Sequence, residues 1–159
     1  MGNIFLGSEI VELGIQIEQN GRDFYDMLAR ETRVEKAAAL FKHLKGEEEK
    51  HIGVFGAILA RLAGYEPAEA YPGEYTSYMK ALAASCIFTQ KGRGAEAARR
   101  VQNELEALDL GIGFEKDSII FYEGMKKVVP PHEVKAVEEL VRQEENHLRQ
   151  LSELKEALS

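Results

Sequence analysis

The sequence predicts an all-α protein, an antiparallel four-helix bundle with a long crossover between its second and third helices. Apolar residues recur at helical spacing through four long segments. One pattern is also written twice: Leu13-Gly14-Ile15, Glu18 and Phe24-Tyr25 return as Leu110-Gly111-Ile112, Glu115 and Phe121-Tyr122, 97 residues later. Each copy leads, after 30 or 29 residues, from its lone Glu into a Glu-x-x-His: Glu48 with His51, and Glu144 with His147. Two helical hairpins joined by one long connection accommodate this repeat.

The first helix is expected to start at Ser8, whose hydroxyl can cap an orphan N–H, with Glu9 and Glu12 near the positive end of the dipole. Ile10, Leu13, Ile17, Phe24 and Leu28 then mark one face to about residue 32. A second helix follows from about Glu35 to Ala63, with Gly64 suited to the C′ position. Residues 65–73, with Pro67, Pro72 and Gly73, read as loop.

Tyr75 to Ser85 reads as a short helix within the crossover, and Gln90-Lys91-Gly92-Arg93-Gly94 as a break. The next helical pattern, Ala95 to about Val128, is longer than the first helix, which leaves open whether its front end kinks or starts late. Pro130-Pro131 ends it, and Pro131 suits the N1 position of a last helix reaching about Leu158. Gly14 and Gly111 each precede a repeated Glu by four residues, where glycine costs about 1 kcal/mol against alanine. Close approach of two backbones near an internal twofold is the expected reason.

A chain of 159 residues is read as one domain, 1–159, large enough to bury a core unaided. A net charge of −7 argues against a nucleic-acid partner, which needs a basic surface. Cys86 stands alone, so neither an intrachain disulfide nor a cysteine metal ribbon is available. No apolar stretch is long enough to span a membrane, and residues 1–8 fit neither a signal peptide nor the myristoylation pattern. The expectation is a cytoplasmic protein.

At about 3.6 residues per turn, Glu48 and His51 share one helix face, as do Glu144 and His147. Tyr25 lies about two turns from Glu18 on the same stripe, and Tyr122 likewise from Glu115, so each phenol is a candidate to hydrogen-bond a carboxylate. Burying four unpaired carboxylates is costly, and they repel one another. Two divalent cations neutralise them, and Glu18, Glu48, His51, Glu115, Glu144 and His147 are therefore the candidate metal ligands. One Glu from each of two helices and a Glu-x-x-His from each of the other two is the ligand set of di-iron and di-manganese bundles. Carboxylate and imidazole suit iron and manganese alike.

The other candidates have plainer readings. Tyr25 and Tyr122 also fit as core aromatics with satisfied hydroxyls. His43 and His132 read as surface residues, Cys86 as a small buried apolar residue, and Glu47, Glu49 and Glu145 as solvated charge pointing away from the ligand face.

The stretches Ile17-Glu18 to Phe24-Tyr25, Glu48-x-x-His51, Leu108 to Tyr122 and Glu144-x-x-His147 resemble the di-iron domain of the rubrerythrin family, within the ferritin-like superfamily. The resemblance covers nearly the whole chain. It implies a ferritin-like bundle, often a homodimer, with a carboxylate-bridged pair of iron ions. It also implies peroxide reduction, with electrons that rubrerythrins relay through a rubredoxin-like iron site. The four cysteines of that site have no counterpart here, so a separate donor, such as a rubredoxin-like protein, is implied. Ser118 stands where typical rubrerythrins place a further Glu. The six remaining ligands look more like the symmetric ferroxidase site of bacterioferritins. Ferroxidase or iron-handling activity is thus the alternative, and a metal-binding bundle without turnover the third reading.

Overall fold

A computed structural model describes residues 7–62, 74–86 and 88–159, with side chains undescribed at 74–76. Four long helices, α1 (Gly7–Glu31), α2 (Glu35–Leu62), α5 (Glu104–Met125) and α6 (Val134–Leu158), form the bundle, and two shorter ones, α3 (Glu74–Ser85) and α4 (Arg93–Arg100), lie between α2 and α5 in the chain. α1 packs along α2 and α5 along α6; the two hairpins meet through α1 against α5 and α2 against α6. No strand occurs among the described residues.

Each long helix buries a stripe and wets the rest. Ile10, Ile17, Phe24 and Leu28 of α1 meet Phe41, Leu44, Phe55 and Ile58 of α2 in one core, which Leu108, Phe114 and Phe121 of α5 and Val137, Leu140 and Leu151 of α6 complete. Each such side chain contributes about 1.5–3 kcal/mol by leaving water. That surplus lets the bundle bury a polar layer near mid-helix.

Several boundaries differ from the sequence reading. Ser8 lies inside α1 rather than ahead of it. The pattern from Ala95 divides: α4 ends at Arg100, Val101 is extended, and α5 begins afresh after Asn103, whose side chain accepts from the Glu106 N–H as an N-cap. Pro131 opens a 3₁₀ turn (Pro131–Glu133) that runs into α6, rather than α6 itself. Gly64 and the loop expected at 65–73 lie outside the described residues.

The expected backbone approach at Gly14 and Gly111 is replaced by side-chain packing. A Cβ on Gly14 would meet Met125 Cε at 2.9 Å, and one on Gly111 would meet Leu151 Cδ1 at 3.3 Å. Backbones do approach at Gly94, where a Cβ would lie 1.9 Å from the Asn20 carbonyl oxygen. Buried Asn20 fastens α1 to this segment: its amide donates to Phe88 O (2.9 Å) and Gln90 O (2.7 Å), and its oxygen accepts from Gly94 N (3.1 Å). At the far end, Arg61 of α2 grips Glu133 through two bonds of 2.6 and 2.8 Å, holding the start of α6.

Candidate metal centre

The inward stripes of the four long helices place Glu18 on α1, Glu48 and His51 on α2, Glu115 on α5, and Glu144 and His147 on α6 in one buried layer, each no more than 1% exposed. The helical period accounts for this, since each pair three apart faces the bundle axis together. Ligand atoms of Glu18, Glu48, His51 and Glu144 lie within 4.8 Å of one another, as do those of Glu48, Glu115, Glu144 and His147. Glu48 and Glu144 belong to both groups. They sit between two positions, while Glu18 with His51 and Glu115 with His147 stand at either side.

Both imidazoles turn Nδ1 inward. His51 Nδ1 lies 2.7 Å from Glu144 Oε1 and 3.4 Å from Glu18 Oε2, and His147 Nδ1 lies 3.4 Å from both Glu48 Oε1 and Glu144 Oε2. The two rings stack with centroids 5.6 Å apart. Glu18 and Glu115 each keep one oxygen for a phenol: Tyr25 donates to Glu115 Oε1 at 2.6 Å, and Tyr122 donates to Glu18 Oε1. Seven residues forward on α1 correspond to seven back on α5, the register of antiparallel helices. Each Tyr therefore bonds the Glu of the other helix, not the one on its own stripe.

Burial and mutual repulsion set the protonation of this layer. Desolvation, reinforced by the charge of Glu144, raises Glu18 and lifts Glu48 and Glu115 well above the usual carboxylate range. Burial pushes Glu144 the same way, but Glu115, His147 and His51 outweigh it and hold its carboxyl well below that range. Burial disfavours charge on the imidazoles too; Glu18 and Glu144 nevertheless push His51 up to about 12, and Glu115 and Glu144 push His147 up to about 10. Desolvation and the nearby carboxylates raise both phenols well above 10.0.

Donor chemistry tests whether a metal pair fits. Glu18 Oε2, Glu115 Oε2, both oxygens of Glu48 and of Glu144, and Nδ1 of each His have no hydrogen-bond partner. Orphaned buried polar atoms of this kind cost about 1–3 kcal/mol each, and they all face the layer. Two divalent cations would satisfy them and match four carboxylates in charge. The residues present fit the group.

Other readings change. His43, His132, Glu49 and Glu145 are exposed as expected. Cys86 is only half-buried, at the core margin, with its thiol 3.9 Å from Asp117 O. Glu47 does not point away: it is 19% exposed, and its Oε2 stands 3.9 Å from His147 Nε2. Gln143, overlooked in the sequence, accepts from His51 Nε2 at 2.7 Å. The repeat held a signal for both, because Glu47 and Gln143 each immediately precede the Glu of a Glu-x-x-His. Buried Ser118 donates to Phe114 O within its own helix.

A family model described as Rubrerythrin matches residues 9–155. Among solved structures, the chain resembles a crystal structure from Thermotoga maritima described as a candidate ferritin-like diiron-carboxylate protein. The two are 28% identical with a TM-score of 0.70, over 100% of each chain. No curated protein sequence matches.

Proposed function

The chain belongs to the rubrerythrin family, and from that premise we propose that it is a di-iron carboxylate oxidoreductase that reduces hydrogen peroxide with electrons from a separate donor. The observation that carries this reading is the pair of four-ligand groups sharing Glu48 and Glu144. Bound there, two iron ions would supply one electron each and Lewis acidity toward the peroxide oxygens. The net reduction would consume two electrons and two protons for each peroxide and yield two waters.

The protein's own residues have separate tasks. Glu48 and Glu144 would bridge the metal positions; Glu18 with His51, and Glu115 with His147, would complete one position each. Tyr25 and Tyr122 orient Glu115 and Glu18 and keep one oxygen of each facing the layer. Phe41 and Phe114 beside Tyr25, and Phe55 beside Tyr122, exclude bulk water. A homodimer is part of this proposal, with a rubredoxin-like protein as the class of electron donor. No helix among the described residues is long and apolar enough to cross a membrane.

One observation favours a second reading, ferroxidase activity. The Ser118 hydroxyl is spent on its own helix, so the six ligands form a symmetric set without a further carboxylate at that position. Loading metal-free protein with Fe(II) under anaerobic conditions, then mixing with peroxide or oxygen, separates the two. Near-ultraviolet absorbance should rise fast with peroxide and slowly with oxygen. Faster oxidation by oxygen, with iron accumulating beyond the pair the ligands hold, would replace the peroxidase proposal with the ferroxidase one.

A further inference from the structure

The internal twofold relates His51 to His147 and the metal-facing sides of the two rings, but their outer sides are built differently. His51 Nε2 meets the neutral amide oxygen of Gln143 at 2.7 Å. That amide is fixed in orientation, because its Nε2 donates to Glu139 Oε1 at 3.0 Å and so leaves the oxygen as acceptor. At the equivalent place, His147 Nε2 faces the carboxylate of Glu47, with Oε2 at 3.9 Å. The other oxygen of Glu47 pairs with exposed Lys50 at 2.9 Å.

We infer that Glu47 is a positioning residue for His147 and makes the two metal positions inequivalent, with the position at His147 and Glu115 binding more tightly. This rests on the two-metal reading above. With Nδ1 as the ligating atom, Nε2 carries the proton and must donate outward. A carboxylate acceptor makes the imidazole a stronger donor to metal than an amide does, and such outer partners change metal affinity by about 10–100-fold. The 3.9 Å separation is that of an ion pair rather than a direct hydrogen bond, so Glu47 acts on the ring through the charge of its nearby carboxylate. Helix α6 fixes Gln143 toward one ring, and α2 supplies an acid toward the other; an exchange of one residue type across the repeat creates the difference.

Anaerobic Co(II) titration of metal-free protein tests this, read by d–d absorbance and by the paramagnetically shifted N–H protons of the ligating imidazoles. Wild type should take up Co(II) in two steps of different affinity, with two distinct N–H signals. Glu47→Gln, which keeps shape and removes charge, should weaken the tighter step about tenfold and move one signal while leaving the other in place. Lys50→Ala breaks the same surface ion pair without touching the imidazole and should leave both steps and both signals unchanged. Unaltered steps and signals in Glu47→Gln, or equal changes in Lys50→Ala, would overturn the inference. Wild-type protein that binds fewer than two Co(II) would overturn the two-metal reading beneath it.

Discussion

The Tyr25 hydroxyl on α1 donates to Glu115 Oε1 on α5 at 2.6 Å, and its counterpart Tyr122 on α5 returns the same bond to Glu18 on α1. The two bonds cross the bundle in opposite directions and tie the hairpins together through the carboxylates that would hold metal. Each acid is thereby half committed: one oxygen is fixed by a phenol, and the other faces the layer. On the proposed two-metal reading, that division would place Glu18 and Glu115 at the ends and leave Glu48 and Glu144, both oxygens of which are free of hydrogen bonds, to lie between.

Tyr25→Phe and Tyr122→Phe should each lower the stability of the metal-free protein by about 1–3 kcal/mol, because each leaves a buried carboxyl oxygen without its donor. Their effects should be similar in size. Metal content should stay near wild type, since the inward oxygens remain. Chemical denaturation and metal analysis of both variants check this, and a variant without metal but with unchanged stability would contradict it.

Gly94→Ala should destabilise by about 1–3 kcal/mol or more, as its methyl would run into the Asn20 carbonyl rather than a yielding side chain. Gly53→Ala is the control. Nothing lies within 4 Å of a Cβ there, inside α2, so the substitution should raise stability by up to about 1 kcal/mol. Thermal melts that moved the two variants in the same direction would count against the packing described.

Asn20→Ala should open the segment that joins α3 to α4 without unfolding the bundle. It removes both donors to Phe88 O and Gln90 O and the acceptor of Gly94 N–H, about 1–3 kcal/mol for the orphaned groups. Hydrogen exchange should quicken at residues 88–100 and stay slow in α2 and α6. Uniform quickening would show instead that Asn20 holds the whole fold.

The metal-free protein should lose stability as pH rises. Burial and the charge of Glu144 shift Glu18, Glu48 and Glu115 upward from 4.5, so the folded layer gives up its carboxyl protons at higher pH than an unfolded chain does. It also keeps protons on His51 and His147 that an unfolded chain releases near 6.5. More protons on the folded state mean stability that is full below those values and declines until the imidazoles deprotonate at about 10 and about 12. Glu144 works the other way and weakens the fold only below about 4.5. A melting temperature at pH 9 lower than at pH 6 by at least ~2–4 °C is expected. Metal uptake, which must displace these protons, should strengthen over the same range.

The site was legible because its information is local and repeated. A Glu and a His three apart share a helix face, and two copies with the same preceding pattern bring all six side chains of the candidate site into one buried layer. Relations between helices were not legible in the same way. Glu47 looks solvated on its own helix, and only the register of α2 against α6 brings it to His147. Each Tyr shares a stripe with one Glu yet bonds the other, for the same reason. The break at 101–103 was written in sequence, with Asn103 capping Glu106, but it lies inside a run whose apolar spacing continues. Gly94 had no counterpart in the repeat to draw notice, whereas Gly14 and Gly111 did and proved to accommodate side chains.

The most direct test of the two-metal account is the amount of Fe(II) bound per chain at anaerobic equilibrium by Glu144→Gln, set against wild type. Glu144 belongs to both ligand groups. Wild type should bind two, and the variant should lose affinity at both positions together. A variant that still binds two with wild-type affinity would contradict the account.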